Sequence, residues 1–192
     1  VGGDAQVVQG GVHLLDAGRG HRLGHQVVGA VEGDEALGQR AEALGGEGQW
    51  LLAMPAAYIA GIQVLVRSMV AGVEPAFIDL SHGFNVAEFA ARAQELARTG
   101  ERTYTALTPM QLAKATSTLQ GIDALRTFDA VLVGGAATNP RLLESAAKLR
   151  INVVTTYGSS ETSGGCVYNG RPIAGARVKI VDGRIHLGGP MV

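Results

Sequence analysis

The residues best equipped for chemistry lie in one short stretch, Tyr157-Gly158-Ser159-Ser160-Glu161-Thr162-Ser163-Gly164-Gly165-Cys166. It packs a tyrosine, four hydroxyl side chains, one carboxylate and three glycines into ten residues. Glycines let backbone N–H groups approach an anion, hydroxyls bond to it, and a carboxylate holds a divalent cation. The plainer alternative is a polar strand-to-strand turn, which has the same composition. A second Gly-rich site, Gly134-Gly135-Ala136, follows the apolar run Phe128–Val133. It is not a dinucleotide fingerprint, because the third glycine and the acidic residue beyond it are missing. Gly158-Ser159-Ser160-Glu161-Thr162 is nearer to a nucleophile elbow. However, Thr162 replaces the last glycine, and His186 is the sole downstream histidine.

These loops need strands to position them. Trp50–Met54 reads as a strand stopped by Pro55, and Ile59–Ala71 as a mostly apolar helix ended by Gly72. Pro75–Ile78 is a short strand. Asn85 caps a helix from Val86 to Arg98, with Glu88 at the reciprocal capping position. Its Phe89, Ala93, Leu96 and Ala97 share an inner face, while Arg92, Glu95 and Arg98 face solvent. Thr103–Leu107 is a third strand. Pro109 opens a helix containing Leu112, Ala115 and Leu119. Phe128–Val133 is a fourth strand, Asn139 caps the helix Arg141–Leu149, and Ile151–Thr156 is a fifth strand.

Non-alternating strands separated by helices predict an α/β fold, a parallel sheet with helices on both faces. Ligands bind such sheets beyond the C-terminal strand ends, where both Gly-rich loops stand. After Cys166 the pattern changes to short strands separated by Asn169-Gly170, Ala174-Gly175 and Asp182-Gly183, which predicts antiparallel hairpins of an incomplete β subdomain. The expected organisation is thus an atypical Gly-rich segment over 1–48, an α/β core over 49–165, and the start of a β subdomain over 166–192.

Composition narrows the function. A formal charge of −1 over 192 residues gives no reason to expect nucleic acid or an anionic membrane. Cys166 is the one cysteine, which excludes an internal disulfide and fits a reducing compartment. Val1-Gly2-Gly3-Asp4 shows no signal-peptide n-region, so a cytoplasmic location is expected. The apolar stretch Trp50–Val66 holds Pro55, Gly61 and Gln63 and runs into Arg67, so no membrane span is expected. His21 and His25 share a helical face in principle. Gly20 and Gly24 interrupt that helix, and no carboxylate follows as in a zinc-protease motif.

Four segments in register over residues 50–192 resemble the adenylate-forming superfamily, the acyl-CoA synthetases and their relatives. Tyr157-Gly158-Ser159-Ser160-Glu161-Thr162 resembles its Tyr-Gly-x-Thr-Glu motif, with Ser160 in place of threonine. Val131–Ala136, with Pro140 and Leu143 beyond it, resembles its second ATP-pocket motif. Gly170-Arg171-Pro172-Ile173-Ala174-Gly175 and Gly183-Arg184-Ile185…Gly189-Pro190 resemble two later segments. Within the superfamily, Met54–Gly61, Val64–Ser68, Tyr104–Leu112 and Gly164–Tyr168 are most similar to actinobacterial 2-succinylbenzoate–CoA ligases of menaquinone synthesis.

The resemblance implies a two-step ligase. A carboxylate attacks the α-phosphate of ATP, and coenzyme A then displaces AMP from the acyl-adenylate. It implies that Tyr157 stacks on adenine, with Gly134, Gly135, Ala136, Gly158 and Ser159 around the nucleotide. Ser160 would bond to the α-phosphate and Glu161 would hold Mg²⁺. Tyr58, Arg67, Gly158 and Ser163 would face the acyl substrate, with 2-succinylbenzoate as the implied carboxylate. Tyr58 stands where these ligases usually carry histidine; core packing is its alternative. Other readings are a different acyl-CoA synthetase, a non-catalytic adenine-nucleotide binder, or an unrelated α/β binding module. A homo-oligomer stays open.

Two family features lack a counterpart. The phosphate loop, rich in Ser, Thr and Gly and ending in Pro-Lys-Gly, should lie within residues 1–49, which contain no Ser, Thr or Lys and are roughly a quarter Gly. The C-terminal lid and the ribose-binding aspartate should follow Val192. The resemblance therefore implies a partial chain, inactive alone, whose first 49 residues come from a shifted frame or a wrong start.

Overall fold

The computed structural model describes residues 5–7 and 41–192. His21 and His25 lie outside the described residues. Two sheets organise the described residues. The larger has seven strands in the order β3-β2-β4-β5-β6-β7-β8, formed by β2 (Gln49–Leu52), β3 (Ala76–Phe77), β4 (Thr103–Leu107), β5 (Ala130–Val133), β6 (Val153–Ser159), β7 (Gly164–Tyr168) and β8 (Arg171–Pro172). The strands from β3 through β6 are parallel, and β7 and β8 are antiparallel additions. The smaller sheet pairs β1 (Ala5–Val7), β10 (Arg184–Gly188) and β9 (Arg177–Val181), all antiparallel. The boundary expected at 165/166 falls within β7, which belongs to the larger sheet.

The expected coverage of both faces is present. On one face, α1 (Ile59–Val70) sets Val64 against Trp50, Tyr104, Ala106, Leu132 and Val154. On the other, α2 (Val86–Ala97), α3 (Pro109–Thr116), α4 (Leu119–Leu125) and α5 (Pro140–Lys148) bury Phe89, Leu112, Leu125 and Ala146 against Leu51, Leu107, Val131 and Val133. Residues next to each other in a strand therefore belong to opposite cores, which is why these strands show no polar alternation. Each fully buried Leu or Phe contributes about 1.5–3 kcal/mol, enough to hold the loop-bearing strand ends in fixed register. No helix among the described residues is long and apolar enough to cross a membrane.

Local signals account for most helix boundaries. Asn85 Oδ1 accepts from the Ala87 and Glu88 amides, Thr108 and Gln111 form a reciprocal capping box, and Asn139 Oδ1 accepts from the Arg141 amide. Three expectations are corrected. Glu88 does not complete a box with Asn85; its Oε1 accepts from the Asp79 amide at 2.7 Å and ties the preceding loop to α2. The helix opened by Pro109 stops at Thr116. Thr116 and Ser117 turn their hydroxyls onto backbone carbonyls, and Thr118 Oγ1 caps a new helix by accepting from the Gly121 amide at 3.0 Å. Leu119 therefore begins α4 and stays 81% exposed. Finally, the fifth parallel strand continues through Ser159, because β7 folds back and pairs with it.

Candidate adenylate site

The stretch rich in hydroxyls and glycines is a hairpin. Ser159 pairs with Gly164, which leaves Ser160–Ser163 as a four-residue turn. The sequence suggested a ten-residue loop; cross-strand pairing converts most of it into β6 and β7. The close approach of the strands depends on Gly158, where an added Cβ would lie 2.0 Å from the Gly164 carbonyl oxygen. A register shift falls between Tyr157 and Gly158, so the strand bends where the motif begins.

The turn is fixed from below. Thr162 is completely buried. Its Oγ1 accepts from the Ser159 amide at 2.9 Å and approaches the Gly164 and Ser159 carbonyls at 2.7 and 3.2 Å. The Ser163 amide donates to the Ser160 carbonyl at 3.1 Å. From α1, Gln63 Nε2 donates to the Ser163 carbonyl at 2.6 Å. With the lower half of the turn held, Glu161 is exposed at its tip and Ser160 is half-buried beside it. The two side-chain ion pairs among the described residues, Arg92–Glu95 and Arg126–Asp123, leave Glu161 out. Ser159 Oγ is buried with no hydrogen-bond partner among the described residues.

The second Gly-rich loop adjoins this hairpin. Val133 pairs with Thr155, so Gly134 leaves β5 level with Thr156, and a Cβ on Gly134 would meet Thr156 Oγ1 at 2.3 Å. Gly135 and Ala136 are exposed immediately beyond. Tyr157, the next residue of β6, is half-buried. Burial raises its phenol above the usual range, and the Cys166 thiol pushes the same way, so the ring is neutral near pH 7. The structure thus brings Gly134, Gly135, Ala136, Tyr157, Gly158, Ser159, Ser160, Glu161 and Ser163 to adjoining C-terminal strand ends, as expected for this sheet class.

Tyr58 and Arg67 stand apart from them on α1. Tyr58 is the N-cap residue, makes no side-chain capping bond and is 41% exposed, which removes core packing as its role. Arg67 stacks its guanidinium 4.8 Å from the Trp50 ring centre and donates to the Tyr168 hydroxyl at 2.9 Å. Its link to the hairpin runs through Tyr168, whose hydroxyl lies under Gly165. Gln63, Thr162 and Asn169 were missed in the sequence. Asn169 Oδ1 accepts from the Thr155 amide at 2.9 Å and steadies β6 just before the motif at Tyr157. Gln63 did carry a signal, as a lone amide inside an apolar helix must find a polar partner.

The donor set suits a phosphate and a hard cation. Hydroxyls and one carboxylate are oxygen ligands, and no group of three or more His, Cys, Asp or Glu among the described residues forms an all-protein metal cage. Mg²⁺ characteristically takes one or two carboxylates and completes its shell with substrate phosphate and water.

Comparison with known proteins places this geometry. The AMP-binding enzyme family matches residues 25–187. A probable 2-succinylbenzoate–CoA ligase of Mycobacterium tuberculosis is 48% identical over 147 residues, 76% of this chain and 38% of that protein. Among solved structures, o-succinylbenzoate CoA synthetase from Bacillus subtilis in complex with the acyl-adenylate intermediate aligns with TM-score 0.71 at 21% identity, over 85% of this chain and 37% of that one. The same enzyme with ATP and magnesium ion aligns with TM-score 0.69 at 22% identity, over the same shares. The chain thus spans under two fifths of the length of these relatives. With the family matched over most of its length and the fold shared with these structures, this chain belongs to the AMP-binding enzyme family.

Proposed function

We propose that this chain carries the nucleotide-binding portion of an AMP-forming 2-succinylbenzoate–CoA ligase of menaquinone biosynthesis, with residues 49–165 as the α/β core and 166–192 opening the β portion. The observation that carries the reading is the junction of the Gly134-Gly135-Ala136 loop with the Tyr157–Glu161 hairpin at adjoining parallel strand ends. Relatives with 48% identity bear the ligase name. ATP, Mg²⁺ and coenzyme A are the co-substrates and metal of that reaction.

Joining a carboxylate to a phosphate brings two anions together, so the site's main task is electrostatic. In this reading the neutral Tyr157 ring stacks on adenine, and the Gly134–Ala136 backbone walls the base. Gly158 lets β6 and β7 pass close enough to set the hairpin beside the nucleotide. Ser160 offers its hydroxyl to the α-phosphate, and Ser159 lines the nucleotide through its backbone. Glu161 supplies the carboxylate for Mg²⁺, which when bound neutralises charge on the phosphates. Tyr58, at the N-cap of α1, and Ser163 face the acyl group, while Arg67 braces the hairpin from the same helix through Tyr168. Tyr58 offers one hydrogen bond from its hydroxyl.

Calorimetric titration with a stable sulfamate analogue of 2-succinylbenzoyl adenylate tests the reading. We expect binding at least about tenfold tighter than AMP, because the acyl arm adds contacts worth about 1.4 kcal/mol or more. The corresponding benzoyl analogue, lacking the second carboxylate, should fall between the two. Equal affinity for AMP and both analogues would remove the assignment to this acid.

A further inference from the structure

We propose that Gln63 is a positioning residue that sets the turn bearing Ser160 and Glu161 from the opposite side of the site. The proposal rests on the adenylate reading of that turn. Gln63 is only 3% exposed, although it lies on a helix whose inner residues are otherwise apolar or small. Its Nε2 reaches across 100 residues of sequence to the Ser163 carbonyl at 2.6 Å. Ser163 has a positive φ of 50°, a conformation costly for serine unless its surroundings impose it. The Gln63 side chain also packs under the next residue; a Cβ on Gly164 would meet Gln63 Cγ at 2.8 Å. One turn further along α1, Arg67 donates to Tyr168 of the same hairpin. The two side chains are four apart on one helix face and fasten α1 to both ends of β7.

The consequence concerns the phosphate end of the site. Thr162 fixes the interior of the turn through Ser159 and Gly164, and among the described residues the Ser163 carbonyl accepts from Gln63. Releasing that carbonyl frees the turn to relax from the strained conformation, which moves Glu161 and Ser160. Tyr157 is anchored separately by strand pairing with Val167. Loss of the Gln63 amide should therefore weaken what the turn binds and spare what the tyrosine binds. Because Tyr58 is the N-cap residue of α1, the same element also ties the residue facing the acyl group to the residue facing the metal.

The test uses Gln63→Met, which keeps the volume under Gly164 and removes the amide, with Gln63→Leu as a second variant. Adenosine and Mg²⁺–ATP are titrated into the wild type, each variant, Glu161→Gln, and the double variants. We expect Gln63→Met to weaken Mg²⁺–ATP about tenfold and adenosine less than about twofold, as for loss of one hydrogen bond that orders a charged ligand. In the Glu161→Gln background the same change should cost less than about twofold, since both act through one group. Equal losses for both ligands, full additivity with Glu161→Gln, or unchanged Mg²⁺–ATP affinity in a folded variant would each overturn the proposal. A wild type that binds neither ligand overturns the adenylate reading itself, a separate outcome.

Discussion

Glu161 and Thr162 are adjacent in sequence and opposite in environment. Glu161 stands in solvent at the tip of the hairpin, outside both ion pairs, whereas Thr162 is wholly enclosed and bonded to the backbone on both sides. Glu161→Gln should leave thermal stability within about 0.5 kcal/mol and remove most of the Mg²⁺ dependence of ATP affinity, measured by titration with and without the metal. Thr162→Val should do the reverse in kind. It leaves buried backbone groups unpaired and costs about 1–3 kcal/mol in denaturant unfolding. The candidate residues could be picked out in the sequence because a carboxylate among hydroxyls and glycines stands out by type. The supporting ones were not. Thr162 looked like another motif hydroxyl, and Gln63 signalled the need for a polar partner without identifying it, since a hydrogen bond spanning 100 residues leaves no mark at its far end.

At the scale of elements, the hairpin depends on two backbones passing at Gly158. Gly158→Ala places a methyl 2.0 Å from the Gly164 carbonyl, with backbone atoms on the facing side. The strand must shift, and we expect a loss of about 1–3 kcal/mol together with loss of AMP binding, read by unfolding and titration of the same sample. Elements specified by neighbours in sequence were legible: the caps at Asn85 and Asn139, the helix start at Pro109, and the turn at Asp182-Gly183, where both residues have positive φ (49° and 75°) and β9 pairs with β10. Elements set by distant pairing were not. The end of β6 is decided by β7, and the split of the Pro109 helix by competition between Ser/Thr hydroxyls and the helix backbone.

Across the whole molecule, the sheet is locked at its entry by Tyr104. Its ring lies 5.1 Å from that of Trp50, and its hydroxyl donates to the Leu44 and Gly46 carbonyls at 3.3 and 3.0 Å. Burial raises the phenol above its usual range, Arg102 opposes that shift and Asp129 adds to it. A raised folded-state value means that this contribution to stability is fully present below the usual phenol range. It is lost as pH rises through the folded value. Thermal melts from pH 8 to pH 11 should therefore show the wild type losing its advantage over Tyr104→Phe as the solution becomes more alkaline; parallel curves would contradict this. The fold as a whole was legible because the inner parallel strands β4 and β5 are buried on both faces and so show no polar alternation, a pattern independent of any single contact.

The central claim is that Tyr157 and the adjoining Gly134–Ala136 loop form an adenine site. Titration of AMP into the wild type and Tyr157→Ala tests it most directly. Stacking of a base on an aromatic ring contributes about 1–3 kcal/mol, so Tyr157→Ala should weaken AMP about tenfold or more while Tyr157→Phe keeps most of the affinity. AMP binding that is unchanged in a folded Tyr157→Ala chain would contradict the account.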